Sequence, residues 1–168
     1  MLNKLKNMFA GSETNVEDAV VITSPMQGAV VALKDVPDTT FAAGVLGQGI
    51  AIEPTEGRVI APVDAEVTTI FPTGHAVALR TDEGVDILIH VGINTVSMEG
   101  KGFVKHVENN QRVKAGDLLM EFDIDAIKEA GLSTVTPVVI PNAAEFVHVD
   151  ATEADTVAFG AELLAVVR

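Results

Sequence analysis

The chain has no cysteine, no tryptophan and no tyrosine. Without thiols there are no disulfides, no thiolate metal sites, no thiol catalysis and no redox exchange, so the fold rests on packing alone, as suits a reducing cytoplasm. Seven phenylalanines are the only aromatics, which argues against a stacking platform for single-stranded nucleic acid and against an aromatic sugar cleft. Basic residues are scarce as well. Eleven Lys plus Arg against 24 Asp plus Glu give a formal charge of −13, which excludes a nucleic-acid binder with a phosphate-reading basic face. No apolar run approaches the roughly 20 residues of a membrane-spanning helix, and the N-terminus has neither the apolar core nor the cleavage site of a signal peptide. The reading is a soluble, cytoplasmic protein.

What the chain does contain is strand-forming residues. Its 25 Val, 11 Ile and 14 Thr make up 50 of 168 positions, and its 48% hydrophobic share suits a single domain with a sizeable core. From Ala19 onward short β-type runs alternate with turn signals, the pattern of an all-β sandwich or barrel. Strands are expected at Val20–Thr23, Ala29–Lys34, Gly49–Glu53, Val59–Ala61, Glu66–Phe71, His75–Thr81, Val85–Val91, Leu118–Asp123, Val138–Ile140, Thr156–Phe159 and Leu163–Val167. One short helix is expected over Asp123–Ala130, with Asp123 as N-cap and Gly131 closing it. Residues 1–18 read as a separate flexible segment ahead of a domain over 19–168. Within that segment Met1, Leu2, Leu5, Met8 and Phe9 recur at roughly helical spacing around Lys4 and Lys6. Residues 1–9 are then either a frayed tail or a short amphipathic helix in weak peripheral contact with a membrane surface.

Two stretches resemble each other: Ser24-Pro25-Met26-Gln27-Gly28-Ala29-Val30 and Ala61-Pro62-Val63-Asp64-Ala65-Glu66-Val67. With Gln111–Asp117 ahead of another strand, they resemble barrel-sandwich hybrid folds, which include lipoyl and biotinyl carriers. A carrier of that kind needs an acceptor lysine at a hairpin tip, and neither Met26-Gln27-Gly28 nor Val63-Asp64-Ala65 supplies one.

Chemistry is concentrated in two of the four histidines. In Val85–Val91, period-two alternation places Val85, Ile87, Ile89 and Val91 on the core face and Asp86, Leu88 and His90 on the other. A neutral imidazole held on a strand can act as nucleophile, base or metal ligand. His75 begins the preceding strand, and a hairpin turning at residues 82–84 sets it opposite Val91, one step from His90. Strands about 4.8 Å apart let side chains one step off register meet, although a slip of one residue turns one of them to the other face. His106 and His148 read as surface residues.

Gly84-Val85-Asp86-Ile87-Leu88-Ile89-His90-Val91-Gly92-Ile93-Asn94-Thr95-Val96 closely resembles the signature around the phosphorylated histidine of the glucose-type IIA proteins of the bacterial phosphotransferase system. The resemblance extends through Val36–Asp38, Gly47–Ile52, Ala61–Asp64, Thr73–Ala76, Glu99–Phe103, Gln111–Val113 and Thr136–Ile140, nearly the whole chain after Ala19. It implies an antiparallel β-sandwich with a two-histidine site on adjacent strands. It further implies that His90 receives a phosphoryl group on Nε2 from the phosphohistidine carrier HPr and passes it to the IIB domain of a sugar permease. His75 would then be the transition-state partner, oriented by the Thr73 hydroxyl. No cofactor is implied for the chemistry.

The resemblance also implies an apolar docking patch, matched here by Phe41, Val45, Leu46, Phe71, Leu88 and Val96, with Asp38 and Asp86 as acids at its edge for a basic partner. Position 94 is Asn where the family commonly has Asp, which removes one charge-assisted contact to the donor. Two adjacent histidines can also begin a zinc site, yet a catalytic zinc takes three protein ligands and only Asp86 shares the face. The family suggests instead that His75 and His90 hold zinc only where a bound partner supplies a further ligand. In enteric relatives the unphosphorylated IIA protein also binds other permeases and glycerol kinase, and the phosphorylated form influences adenylate cyclase. A phosphate beside an apolar patch would disfavour binding through it.

Overall fold

A computed structural model describes residues 18–168. The segment 1–9, expected as a tail or membrane-contacting helix, lies outside them. Fourteen strands are described: β1 (Ala19–Thr23), β2 (Gly28–Val31), β3 (Gln48–Pro54), β4 (Arg58–Ile60), β5 (Ala65–Ile70), β6 (Ala76–Arg80), β7 (Asp86–His90), β8 (Phe103–Lys105), β9 (Arg112–Val113), β10 (Leu118–Phe122), β11 (Thr136–Ile140), β12 (His148–Ala151), β13 (Thr156–Val157) and β14 (Glu162–Val167). An eight-stranded sheet runs in the order β13-β2-β3-β11-β7-β6-β5-β9, and two three-stranded sheets, β1-β14-β12 and β4-β10-β8, accompany it. Neighbouring strands pair antiparallel throughout. The protein is therefore mostly β, as expected from its composition.

Alternation decides what each strand buries. Ile50 and Ile52 of β3, Ile87 and Ile89 of β7, and Val138 and Ile140 of β11 enter the main core, where they meet Ile22, Leu164 and Val166 of one small sheet and Leu119, Met120 and Phe122 of the other. The intervening residues point the other way. Ala51 of β3 and Val139 of β11 form a second apolar cluster with Val36, Phe41, Ile93 and Val135, and Leu88 of β7 packs at its side. All five residues of β11 are buried, as a strand covered on both faces must be.

The cover over that second face is short and irregular. The strand expected over Ala29–Lys34 stops at Val31 and gives way to a 3-10 turn at Leu33–Asp35. A one-turn helix, α1 (Thr39–Ala42), follows, capped by the Asp38 carboxylate, which accepts from Thr40 N at 2.9 Å and Phe41 N at 3.1 Å. The one helix expected, over Asp123–Ala130, is present as α2 (Ile124–Glu129), with Asp123 accepting from Ala126 N at 3.1 Å and Gly131 following at φ 78°. Three strands escaped the sequence pattern. β8 and β9 have three and two residues, and β12, His148-Val149-Asp150-Ala151, is a half-buried edge strand without a β-branched run.

Ile87 has no exposed surface and faces the core from the strand that carries His90. Ile87→Ala is expected to cost about 2–5 kcal/mol in urea unfolding, as other large-to-small core replacements do.

Candidate functional site

The hairpin register agrees with expectation: Ala76 pairs with His90 and Val77 with Ile89, which sets His75 opposite Val91. Strict alternation from that register would nevertheless send His75 and His90 to opposite faces. They meet because His75 stands just before the first ladder residue, Ala76, at the end of a turn. Gly74 takes φ 75° there and donates to the Phe71 carbonyl at 2.7 Å. There the His75 carbonyl still accepts from Val91 N at 2.7 Å, and its ring lies with its centroid 5.0 Å from that of His90, at 79° to it. Phe71 packs edge-on against His75 at 5.3 Å, and Phe41 lies 5.2 Å from His90.

Each imidazole is tied down at Nδ1. His90 Nδ1 lies 2.7 Å from the Gly92 carbonyl oxygen. A carbonyl can only accept, so Nδ1 carries the proton, and Nε2 of the neutral ring is left with a free lone pair. Gly92 makes this contact by adopting φ 72°, and a Cβ there would stand 2.5 Å from Thr95 Cγ2 and 2.8 Å from the Ser133 carbonyl oxygen. Only glycine fits both demands. Sequence reading placed Gly92 at the strand end but missed its carbonyl as the partner that selects the tautomer; the glycine directly after a strand-terminal histidine was the available signal. On the other ring, Thr73 Oγ1 lies 2.5 Å from His75 Nδ1, joining the two residues expected to act together.

Burial sets the charge state. His75 is 3% exposed. Burial, with the nearby His90 adding repulsion, pushes its pKa down from 6.5 to about 4. Burial also holds His90 below its ordinary value, even though the Gly92 carbonyl and the Asp38 charge favour its cation. Both rings are therefore neutral at pH 7.

The other expected site residues separate into groups. Val45, 72% exposed, Leu46 and Val96, 55% exposed, are open to solvent, and Phe71 and Leu88 are half-buried. Phe41 differs from a surface docking residue: it is 5% exposed and belongs to the cluster between α1 and the sheet, where its ring lies beside that of His90. Asp38 is half-buried as the α1 cap, while its charge still reaches His90. Asp86 is not a free acid. Arg80, directly opposite on β6, grips it at both carboxylate oxygens, 2.6 and 2.9 Å away. Asn94 is exposed, at φ 60° in the left-handed region that Asn tolerates better than most residues. His106 is exposed beside Glu121 at 2.7 Å, and His148 is half-buried beside Asp150 at 3.1 Å.

Among the described residues, no group of three or more His, Asp or Glu is placed to share a metal ion. Asp86 lies four residues from His90 along β7, about 13 Å at strand rise, and is already held by Arg80. The two imidazoles alone therefore fall short of the three protein ligands of a catalytic zinc site.

Residues 20–146 match the family described as phosphoenolpyruvate-dependent sugar phosphotransferase system, EIIA 1. The chain is 49% identical over 138 residues to the glucose-specific EIIA component of Bacillus cereus, covering 82% of each protein. It is 52% identical over 138 residues to the mannose-specific EIIBCA component of Corynebacterium glutamicum, of whose length it spans 20%. Among solved structures it is similar to the glucose permease IIA of Mycoplasma capricolum, with a TM-score of 0.77 at 32% identity, covering 88% of this chain and 95% of that one. The chain belongs to the glucose-type EIIA family of the sugar phosphotransferase system. Its general role is that of a phosphocarrier component in sugar transport.

The depressed basicity of His75 has a stability consequence. The unfolded chain takes up the His75 proton near pH 6.5 and the folded one near pH 4. Its contribution is therefore complete above pH 6.5 and is lost as pH falls from 6.5 towards 4. His75→Gln is expected to flatten that part of the stability profile, read from denaturation midpoints at each pH. Nitrogen NMR of the rings should show native His75 neutral at pH 5.5; a protonated ring there would overturn this assignment.

Proposed function

We propose that His90 is the phosphoryl acceptor. Its Nε2 lone pair attacks the phosphorus of the phosphohistidine on HPr, whose ring carries a proton on its other nitrogen; the new N–P bond forms as the donor N–P bond breaks, its electron pair stays on the donor nitrogen, and the donor imidazole leaves neutral with its own proton. His90 keeps its Nδ1 proton throughout, so no proton is exchanged. The reverse geometry then delivers the group to the IIB domain of a sugar permease. The observation that supports this reading best is the contact from His90 Nδ1 to the Gly92 carbonyl, which exposes one nitrogen in nucleophilic form and meets the positive charge that grows on the ring after phosphorylation.

His75 serves as transition-state partner. With the Thr73 hydroxyl donating to Nδ1, its proton resides on Nε2, where it hydrogen-bonds a phosphoryl oxygen. Val45, Leu46 and Val96, with the half-buried Phe71 and Leu88, supply the apolar docking rim, and Asp38 with the overall negative charge draws the basic donor to it. Asp86, neutralised by Arg80, adds little to that attraction, and Asn94 adds no charge. The relative from Corynebacterium carries the name EIIBCA, in keeping with a IIB/IIC permease as acceptor. The cytoplasm is the compartment where such partners meet; among the described residues no helix is long and apolar enough to cross a membrane. A zinc ion would bind His75 and His90 only with a ligand from a partner, and regulatory targets such as other permeases or glycerol kinase would use the same rim in its unphosphorylated state.

Phosphorylation with enzyme I, HPr and phosphoenolpyruvate tests this reading. The native chain should gain one acid-labile phosphate, His90→Ala none, and His75→Ala a phosphate that it fails to pass on. A native chain that takes up no phosphate would sink the proposal. Asp38→Asn keeps a capping oxygen and removes the charge. It should raise the KM for phospho-HPr, most visibly at low salt, while leaving the unfolding midpoint within error; Asp38→Ala should lower both docking and stability.

A further inference from the structure

Two buried threonines beside the histidines have no part in the chemistry described so far. Thr95 and Thr136 have no exposed surface, and their hydroxyls meet the two ends of one peptide plane, the plane joining Val91 to Gly92. Thr95 Oγ1 donates to the Val91 carbonyl at 2.5 Å. The Gly92 N–H donates to Thr136 Oγ1 at 3.4 Å, and the Thr136 hydroxyl donates onward to the Thr134 carbonyl at 3.0 Å. The following plane, Gly92 to Ile93, is the one whose carbonyl accepts from His90; its N–H, on Ile93, donates to the Ser133 carbonyl at 3.0 Å. Both peptide planes around Gly92 are thus held at both ends.

Such holding answers a physical need. Glycine rotates about φ and ψ more freely than any other residue, so the residue that can place its carbonyl under His90 is also the one least able to keep it there. Thr95 restrains it in two ways, by its hydroxyl on the Val91 carbonyl and by its methyl against the face of Gly92. Distance ranks the two supports. The Thr95 bond is short for an O–H···O contact, whereas 3.4 Å lies beyond the usual 2.7–3.2 Å of an N–H···O bond.

Resting on the acceptor role proposed for His90, we infer that Thr95 is a positioning residue for phosphoryl transfer, with Thr136 as a weaker second support: together they fix the Gly92 carbonyl and so keep the His90 proton on Nδ1 and the lone pair on Nε2. Neither threonine touches the phosphoryl group.

The test uses the full chain and two readouts, nitrogen NMR of the unphosphorylated His90 ring and the initial rate of phosphoryl uptake from phospho-HPr. In Thr95→Val the ring should move from the pure Nδ1–H tautomer towards a mixture, and uptake should fall roughly ten- to a hundredfold, the scale expected for a displaced reactive group. Thr95→Ser, which keeps the hydroxyl, should restore the native ring signals and most of the rate. Thr136→Val should shift both readouts in the same direction by a smaller amount, and it carries the test should Thr95→Val not fold. A folded Thr95→Val with native ring signals overturns the inference, even if its unfolding midpoint drops, because the residue would then be structural only. Absence of any uptake by the native chain would sink the acceptor role instead, and the ring signals would still decide whether the threonines set the tautomer.

Discussion

One hydrogen bond organises the site: the 2.7 Å contact from His90 Nδ1 to the Gly92 carbonyl. An imidazole with an unspecified tautomer divides its lone pair between two nitrogens, and here one of them is already engaged by the Gly92 carbonyl. Fixing the proton on Nδ1 assigns the whole reactive population to Nε2. Much of the neighbouring structure follows from that requirement, including the left-handed Gly92, the peptide planes held on either side of it and the buried Phe41 beside the ring. Burial completes the preparation by keeping both imidazoles uncharged at neutral pH, so neither has to lose a proton before it can act.

The eight-stranded sheet supplies the rigidity. β11 is buried along its entire length, and β7 lies between it and β6, so His90 sits on an inner strand. The helical cover over the second face, by contrast, is a single turn of α1 with a 3-10 turn before it. A firm floor under a thin cover leaves apolar side chains such as Val45 and Val96 exposed at the rim, which is what a surface for transient partners requires. The charge pattern follows the same division: Asp86 is neutralised within the sheet by Arg80, while Asp38, at the start of the cover, keeps its influence on His90.

Much of this was legible in the sequence. The β-branched periodicity of Val85–Val91 identified the core face of β7, the turn at residues 82–84 gave the hairpin register, and Asp123 with Gly131 marked the ends of α2. What escaped was whatever depends on a few backbone angles or on distant pairing. Strands as short as β8 and β9 carry no periodicity. The position of His75 relative to the pleat is set by the Thr73-Gly74 turn, and alternation applied to the ladder alone would have parted the two histidines. Phe41 and Asp38 read as surface residues because α1, which buries one and is capped by the other, is too short to leave an apolar stripe. Asp86 read as a docking acid although the hairpin register already sets Arg80 opposite it; what the sequence did not show is that the guanidinium takes both carboxylate oxygens.

The acceptor role proposed for His90 carries a kinetic consequence. In that role one nitrogen serves both partners and admits one at a time, so the donor would have to depart before the acceptor arrives. Turnover would then take a ping-pong form, in which each partner would compete with the other for the same small apolar landing. Affinity at that rim is consequently bounded from above, since a patch that held either visitor too long would stall the relay it serves.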